Sequence, residues 1–442
     1  MTMDNAETFK NFFDSIRMLS KQPYLEGIDG LSKKLNSAYY DDANNHENGH
    51  LIVVGSVGRG TAVDGCSDVD ALFVLPQKVF SRMNGRQGNI QSQLLSEIRE
   101  TLKERYPKSN IKGDGQAVVV DFTDRGYTID LVPCFDSAEK GFTYPDSNNG
   151  GHWKLTNPIP EQQACADDAL ASGDNFLCLC NALRVWKDNQ GFAFGGLLID
   201  TLVDKFLADY PFYKFATYGD YIDVFTDLFD FLSNQNAEQK CWHALGSNQE
   251  ITNKDGAPFV TKASEALDYL RSEEIDLEQA LIEIFGCRFE KCITSSVVSA
   301  AASRWASMYS YVPDSEQFIE QMFPVHIGYS LTIDCTVTQS GFRPDSLLNM
   351  LRRRLPLRKD KQLDFSIERC NVPEPYEVYW KVRNCGEEAY RRKCIRGQIC
   401  KDRGNKKWHE HTDFNGDHYV ECYVVKYGVC VARDKIKVPI CV

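Results

Sequence analysis

The 442-residue sequence predicts an α+β fold in three parts: a mixed core over residues 1–160, a helical lobe over 161–312 and a β-rich domain over 313–442. Two observations carry this. Hydrophobic periodicity alternates between strand and helix within the first part, turns helical from about Cys165, and beyond Pro313 breaks into strand-length runs separated by Pro, Gly and Asn. The length also requires division, because a single core stops growing at about 250–300 residues.

Taken in order, residues 7–39 place Phe9, Phe12, Phe13, Ile16 and Leu19 at helical spacing, a helix expected to pack on the core. His50 to Val54 reads as a strand, Gly55 to Gly65 as a Gly-rich turn, and Asp68 to Leu75 as a second strand. Gln91 to Tyr106 carries Leu94, Leu95, Ile98 and Leu102 on one helical face. Ala117 to Phe122 and Tyr127 to Val132 form an antiparallel hairpin around Thr123 to Gly126. Helical pattern then holds to Leu232 and returns from Lys262 to Phe285, ending at Gly286. Strand-length runs follow at Val325–Val337, Phe365–Arg369, Tyr376–Arg383 and Tyr419–Val431.

A formal charge of -12 argues against a chain that wraps long nucleic acid, since such binding neutralises phosphates with clustered Lys and Arg. Sixteen cysteines without an apolar signal core at the N-terminus read as reduced cytoplasmic thiols. No stretch approaches the roughly 20 apolar residues that span a bilayer, so no membrane is expected.

The most informative segment is GSVGRGTAVDGCSDVDALFVL, Gly55 to Leu75. Asp68 and Asp70 stand at i and i+2 on a strand, project from one face, and can share a hard divalent cation. Gly55 and Ser56 offer backbone amides and a hydroxyl without bulk, which suits close approach to triphosphate oxygens, although there is no Gly-Lys-Ser/Thr of a Walker loop. A third carboxylate is needed to clamp two metals, and Asp130 in YTIDLVPCF supplies it, since an unpaired acid in so apolar a strand would be costly. Its bland alternative is an ion pair with a nearby Arg or Lys. Asp121 and Asp124 compete, the first lacking the Leu-Val-Pro continuation and the second falling in the turn.

In this order, GS, SDVD and IDLVP resemble the DNA polymerase β-type nucleotidyltransferases, specifically the cGAS/DncV-like family of bacterial signalling enzymes. GHWKLTNP (residues 151–158) and LCNALRVWKDNQ (179–190) are similar to later stretches of that family. The resemblance implies a phosphate contact at Lys187, with Arg184 one turn away. QFIEQMFPVHIGYSLTID and YWKVRNCGEEAYRRKCIRGQI resemble the sensor domain fused to some of these enzymes, where Trp380, Arg383 and Asn384, with Arg396 nearby, form either a ligand surface or ordinary strand. The family implies two magnesium ions, replaceable by manganese, on Asp68, Asp70 and Asp130. It implies ATP and/or GTP joined into a cyclic di- or trinucleotide with release of pyrophosphate, in anti-phage (CBASS) signalling. A regulatory ligand or protein at the C-terminal domain and a downstream effector of the product are the partners implied.

His409, His411, His418 and Cys422 match no zinc spacing, Cys385, Cys394 and Cys400 contain no Cys-x-x-Cys, and Ser295, Ser296 and Ser299 lack a nucleophile context. Three other functions share features of this reading: a template-independent RNA-end nucleotidyltransferase, a catalytically silent ligand sensor, and an antibiotic nucleotidyltransferase.

Overall fold

The computed structural model describes residues 5–18, 20–40, 49–66, 68–122, 125–137, 141–293, 317–338, 343–353, 355–385, 387–392, 394–402 and 404–440. Leu19, Thr123, Asp124, Ser295, Ser296, Ser299 and Pro313, with the boundary expected at 312/313, lie outside them. The chain divides into two compact units, residues 1–185 with 195–268, and residues 186–194 with 269–442.

The first unit opens with helices α1 (Asn5–Ile16) and α2 (Gln22–Tyr39), so the single expected helical stretch is two. Then come β1 (Leu51–Val53), α3 (Gly55–Arg59), β2 (Asp68–Val74), α4 (Gln77–Asn84), α5 (Ile90–Arg105), β3 (Ile111–Asp114), β4 (Ala117–Phe122) and β5 (Tyr127–Asp136). A hairpin, β6 (Phe142–Asp146) and β7 (His152–Thr156), leads to α6 (Pro158–Ala171), α7 (Asn175–Gln190), α8 (Gly196–Asp209) and α9 (Tyr221–Ser233). Strands β8 (Cys241–His243) and β9 (Glu250–Thr252) precede α10 (Pro258–Arg271).

The main sheet runs β1-β2-β5-β4-β3, with β2 and β5 parallel and the other neighbours antiparallel. Strand alternation divides its faces. Val69, Ala71, Phe73, Val118, Val120, Ile129 and Leu131 enter one core with Tyr24, Ile28, Leu31 and Leu35 of α2 and Leu94, Ile98 and Leu102 of α5. The opposite face keeps Asp68, Asp70 and Asp130. Burial of such side chains, at roughly 25 cal/mol per Å², fixes which way each strand faces. α2, and not α1, is the helix that covers this core; α1 packs Phe9 and Phe13 against Tyr221 of α9, with the rings tilted.

The second unit contains α11 (Leu277–Phe285), so the helical run from Lys262 to Phe285 is likewise two helices. It continues with β10 (Leu331–Thr338), β11 (Asp345–Ser346), α12 (Leu347–Arg352), β12 (Gln362–Cys370), β13 (Glu377–Arg383), α13 (Glu387–Arg391), β14 (Arg396–Lys401), β15 (Lys407–His411), β16 (Gly416–Lys426) and β17 (Val429–Ile440). Sheets β11-β10-β12-β15 and β14-β13-β16-β17 enclose a core of Ile333, Phe365, Trp380, Val424 and Ile436 among others. The run Tyr419–Val431 is thus the junction of two longer strands. Among the described residues all fifteen cysteines are free thiols, and no helix is long and apolar enough to cross a membrane.

Candidate active site

Two strands far apart in sequence bring the acids together. Parallel pairing of β2 with β5 sets Asp70 directly beside Asp130 and Asp68 beside Thr128. Neighbours in register on adjacent strands point the same way at a spacing of about 4.8 Å. Asp121 of β4 pairs with Thr128, which puts it one strand further from Asp68 and Asp70 than Asp130 stands. Register therefore separates the two candidates for the third carboxylate. Burial, and then the negative charges of Asp70, Asp68 and Asp114, push the Asp130 carboxyl up to about 8.

These oxygens suit a hard divalent cation. The raised Asp130 also shows a face short of positive charge, which a cation would correct. Among the described residues no three His, Cys, Asp or Glu side chains already converge as a metal cage.

Gly55 shapes the other side of Asp70. It has φ +64°, and a Cβ there would lie 1.8 Å from Asp70 Oδ2. Only glycine permits both the backbone and the approach. Gly55 to Arg59 form a short helix where a loop was expected, ended by Gly60 in the left-handed region at φ 75°. Ser56 lies in its first turn, and its carbonyl accepts from Thr61 N–H at 2.9 Å.

Arg184 and Lys187 are engaged elsewhere. Arg184 is 5% exposed, and its Nη1 lies 2.8 Å from Asp200 Oδ1 while its Nη2 donates to Thr61 Oγ1 at 3.0 Å. Arg59 Nε and Thr61 Oγ1 donate to Asp200 Oδ2 at 2.7 and 2.9 Å. The guanidinium expected at a phosphate thus neutralises a buried acid, and with it braces the residues that follow Ser56. Lys187, 4% exposed, donates to Asp188 Oδ1 at 2.8 Å and to the Ile327 carbonyl at 2.7 Å. A buried ammonium needs such partners. Asp200, Arg59 and Thr61 escaped sequence reading, although Asp200 interrupts the apolar run LLIDTLV as Asp130 interrupts its own strand.

In the C-terminal domain the ligand-surface alternative gives way to ordinary strand. Trp380 is fully buried, and its Nε1 donates to Asp402 Oδ1 at 3.2 Å. Arg383 Nη1 donates to the Arg396 carbonyl and Asn384 Nδ2 to the Cys394 carbonyl. Arg396 forms a two-pronged pair with Glu410 at 2.6 and 2.8 Å. The histidines separate: His409 pairs with Asp364, His411 with Asp413, and buried His418 accepts from Cys385 N–H.

Residues 2–168 match the Second Messenger Oligonucleotide or Dinucleotide Synthetase domain, and residues 313–441 match the Adenylyl/Guanylyl and SMODS C-terminal sensor domain. Among solved structures the chain is similar to Escherichia coli MS115-1 CdnC in complex with HORMA-deltaN, at 16% identity over 65% of this chain and 98% of that one, TM-score 0.48. It is similar to Vibrio cholerae DncV cyclic AMP-GMP synthase with a linear intermediate, at 11% identity over 66% and 98%, TM-score 0.49. It is also similar to a STING-associated CdnE c-di-GMP synthase from Capnocytophaga granulosa, at 12% identity over 59% and 84%, TM-score 0.46. No curated protein sequence matches the chain.

Proposed function

As a member of the cGAS/DncV-like nucleotidyltransferases, a synthetase domain followed by a sensor domain, the chain is a nucleotidyltransferase enzyme, and we propose that it joins ATP and/or GTP into a cyclic di- or trinucleotide with release of pyrophosphate. The observation that carries the reading is the register of Asp70 against Asp130, with Asp68 one position along the same face. In each step a ribose hydroxyl gives up its proton to solvent and its oxygen bonds to an α-phosphorus, that of another nucleotide during chain growth and that of the linear intermediate's own triphosphate at ring closure; the bond from that phosphorus to the β-phosphate bridge oxygen breaks, and pyrophosphate departs.

Asp68, Asp70 and Asp130 are the residues that hold divalent cations, magnesium with manganese as substitute. Such ions, when bound, neutralise triphosphate charge and lower the pKa of the attacking hydroxyl. Gly55 keeps the space beside Asp70 open for the donor phosphates, and Ser56 offers its hydroxyl and backbone to them. Asp130 orients the acceptor hydroxyl. Neither Arg184 nor Lys187 belongs to this reading, since their polar atoms already satisfy buried partners.

The product acts as a second messenger on a downstream effector in anti-phage signalling of the CBASS type, inside the cytoplasm. The C-terminal domain receives the regulatory ligand or protein. The test is incubation with all four ribonucleotides and either metal, followed by mass spectrometry of phosphatase-resistant products. A cyclic species supports the proposal. Polymer-length products would favour an RNA-end transferase, and no pyrophosphate release under any condition would favour a silent sensor.

A further inference from the structure

The carboxylate face does not end at Asp130. Asp70 pairs with Asp130, Asp130 with Val119 on β4, and Val119 with Lys112 on β3. One straight row of side chains therefore runs across four strands. A second row runs from Asp68 through Thr128 to Asp121, and Asp114 stands beside Ala117 on the same face. Val119 and Ala117, each 8% exposed, make an apolar floor between the polar ends. Lys112 is half-buried and Asp114 exposed. Among the described residues of β1 to β5 on this face, Lys112 is the sole cation, set among Asp68, Asp70, Asp130, Asp121 and Asp114.

In-line displacement puts attacking and leaving oxygens on opposite sides of the phosphorus. Gly55 abuts Asp70, and it lies in the segment that joins β1 to β2. A donor triphosphate placed there would leave the attacking hydroxyl over Asp130, and the row of side chains leads from there over β4 to β3. Two strand spacings, about 10 Å, separate β5 from β3, and a lysine arm shortens that gap by roughly half.

We infer that Lys112 is the acceptor-side cation, its ammonium pairing with the 5′-phosphates of the nucleotide whose ribose hydroxyl attacks. The inference rests on the function proposed above and assigns one of its two substrates a place. An acceptor triphosphate brings several negative charges over a face of carboxylates, and repulsion there requires a positive group on the acceptor's side. Lysine serves phosphate as a compact point charge. The rival reading gives Lys112 a purely structural task, offsetting the carboxylates beside it.

The experiment separates donor from acceptor in the full-length protein. The donor is 2′,3′-dideoxy-ATP, which has no hydroxyl with which to attack. The acceptors are guanosine or adenosine and their α,β-methylene triphosphates, which attack but cannot donate. Linear product is quantified by mass spectrometry for the wild type, Lys112→Gln and Lys112→Arg. We expect the wild type to favour the triphosphate acceptor, and Lys112→Gln to raise the KM for that acceptor about ten- to a hundredfold, as for a lost hydrogen bond to a charged group. Lys112→Gln should leave the KM for the donor and for the plain nucleoside unchanged, and Lys112→Arg should recover most of the loss. Retained discrimination in folded Lys112→Gln, or equal losses with nucleoside and triphosphate, overturns the assignment. A wild type that transfers to nucleoside and triphosphate alike overturns it too, while leaving nucleotidyl transfer intact. Absence of any transfer by the wild type sinks the underlying function, and Lys112's role with it.

Discussion

Replacing Gly55 by alanine should abolish turnover while leaving a folded protein, and a second glycine in the same short segment provides the control. At Gly55 the added Cβ would meet Asp70 Oδ2 at 1.8 Å, Cγ at 2.7 Å and Cβ at 2.9 Å. Real carbon contacts never come so close, so Asp70 must swing away or the α3 backbone must retreat. The φ of +64° adds strain of about 1–3 kcal/mol for any residue with a side chain. Gly60 has almost the same backbone, φ +75°, but a Cβ there meets nothing within 4 Å. Gly60→Ala therefore carries the strain without the collision. Gly60→Ala should lose about 1–3 kcal/mol in urea unfolding, and Gly55→Ala at least as much. Gly55→Ala alone should lose a hundredfold or more in pyrophosphate release, the effect of displacing a reacting group by about 1 Å. If Gly55→Ala turned over within about threefold of Gly60→Ala, the claim that Gly55 exists to admit Asp70 would be wrong.

Three further outcomes follow from the geometry. Asp130 has its carboxyl raised to about 8, so the folded chain retains a proton there that the unfolded chain releases near pH 4; the stability this contributes is complete below about pH 4 and is lost as pH rises to about 8, by at most about 1.4 kcal/mol per pH unit. Thermal unfolding in chelator should show that slope in the wild type beyond any in Asp130→Asn, and millimolar magnesium should remove the difference; identical slopes would contradict it. Arg184→Met removes one of the two buried cations on Asp200 and leaves Arg59 in place, so it should cost up to about 3 kcal/mol in urea unfolding, with the affinity of the folded variant for a non-hydrolysable ATP analogue unchanged; a lost affinity without lost stability would return Arg184 to the phosphate. Trp380→Ala should cost about 3–5 kcal/mol as a core cavity, and a variant as stable as the wild type would mark Trp380 as a ligand surface after all.

Much of the proposed site was legible because strand chemistry is local. Asp68 and Asp70 share a face by spacing alone, and an acid at position 130 between Ile129 and Leu131 demands a partner whatever the fold. What spacing could not give was the order of the strands, which sets Asp130 beside Asp70 and Asp121 one strand further off. Arg184 and Lys187 show the opposite case. A basic residue on a helix looks the same in sequence whether its face meets water, phosphate or a buried acid, and only the packing of α8 against it reveals Asp200. Yet the rule that drew attention to Asp130 applied equally to Asp200, set in the run LLIDTLV. β13 was read as strand, but its function was not, since every residue after Glu377 in it is buried. Alternation vanishes when both faces are covered, and Trp380 then cannot be told from a stacking platform. Helix α3 was missed because five residues are too few to show a period.

The parallel pairing of β2 with β5 also dictates when the centre can exist. Asp70 and Asp130 are sixty positions apart, and between them the chain must lay down α4, α5, β3 and β4 before β5 can slot in beside β2. Contacts of such long range form late, because the loop entropy must be met first. A nascent chain that has emerged only as far as β4 carries Asp68 and Asp70 without their neighbour. Ion affinity should therefore arise abruptly with the insertion of one strand, so that a growing polypeptide holds no working centre until its synthetase sheet is closed.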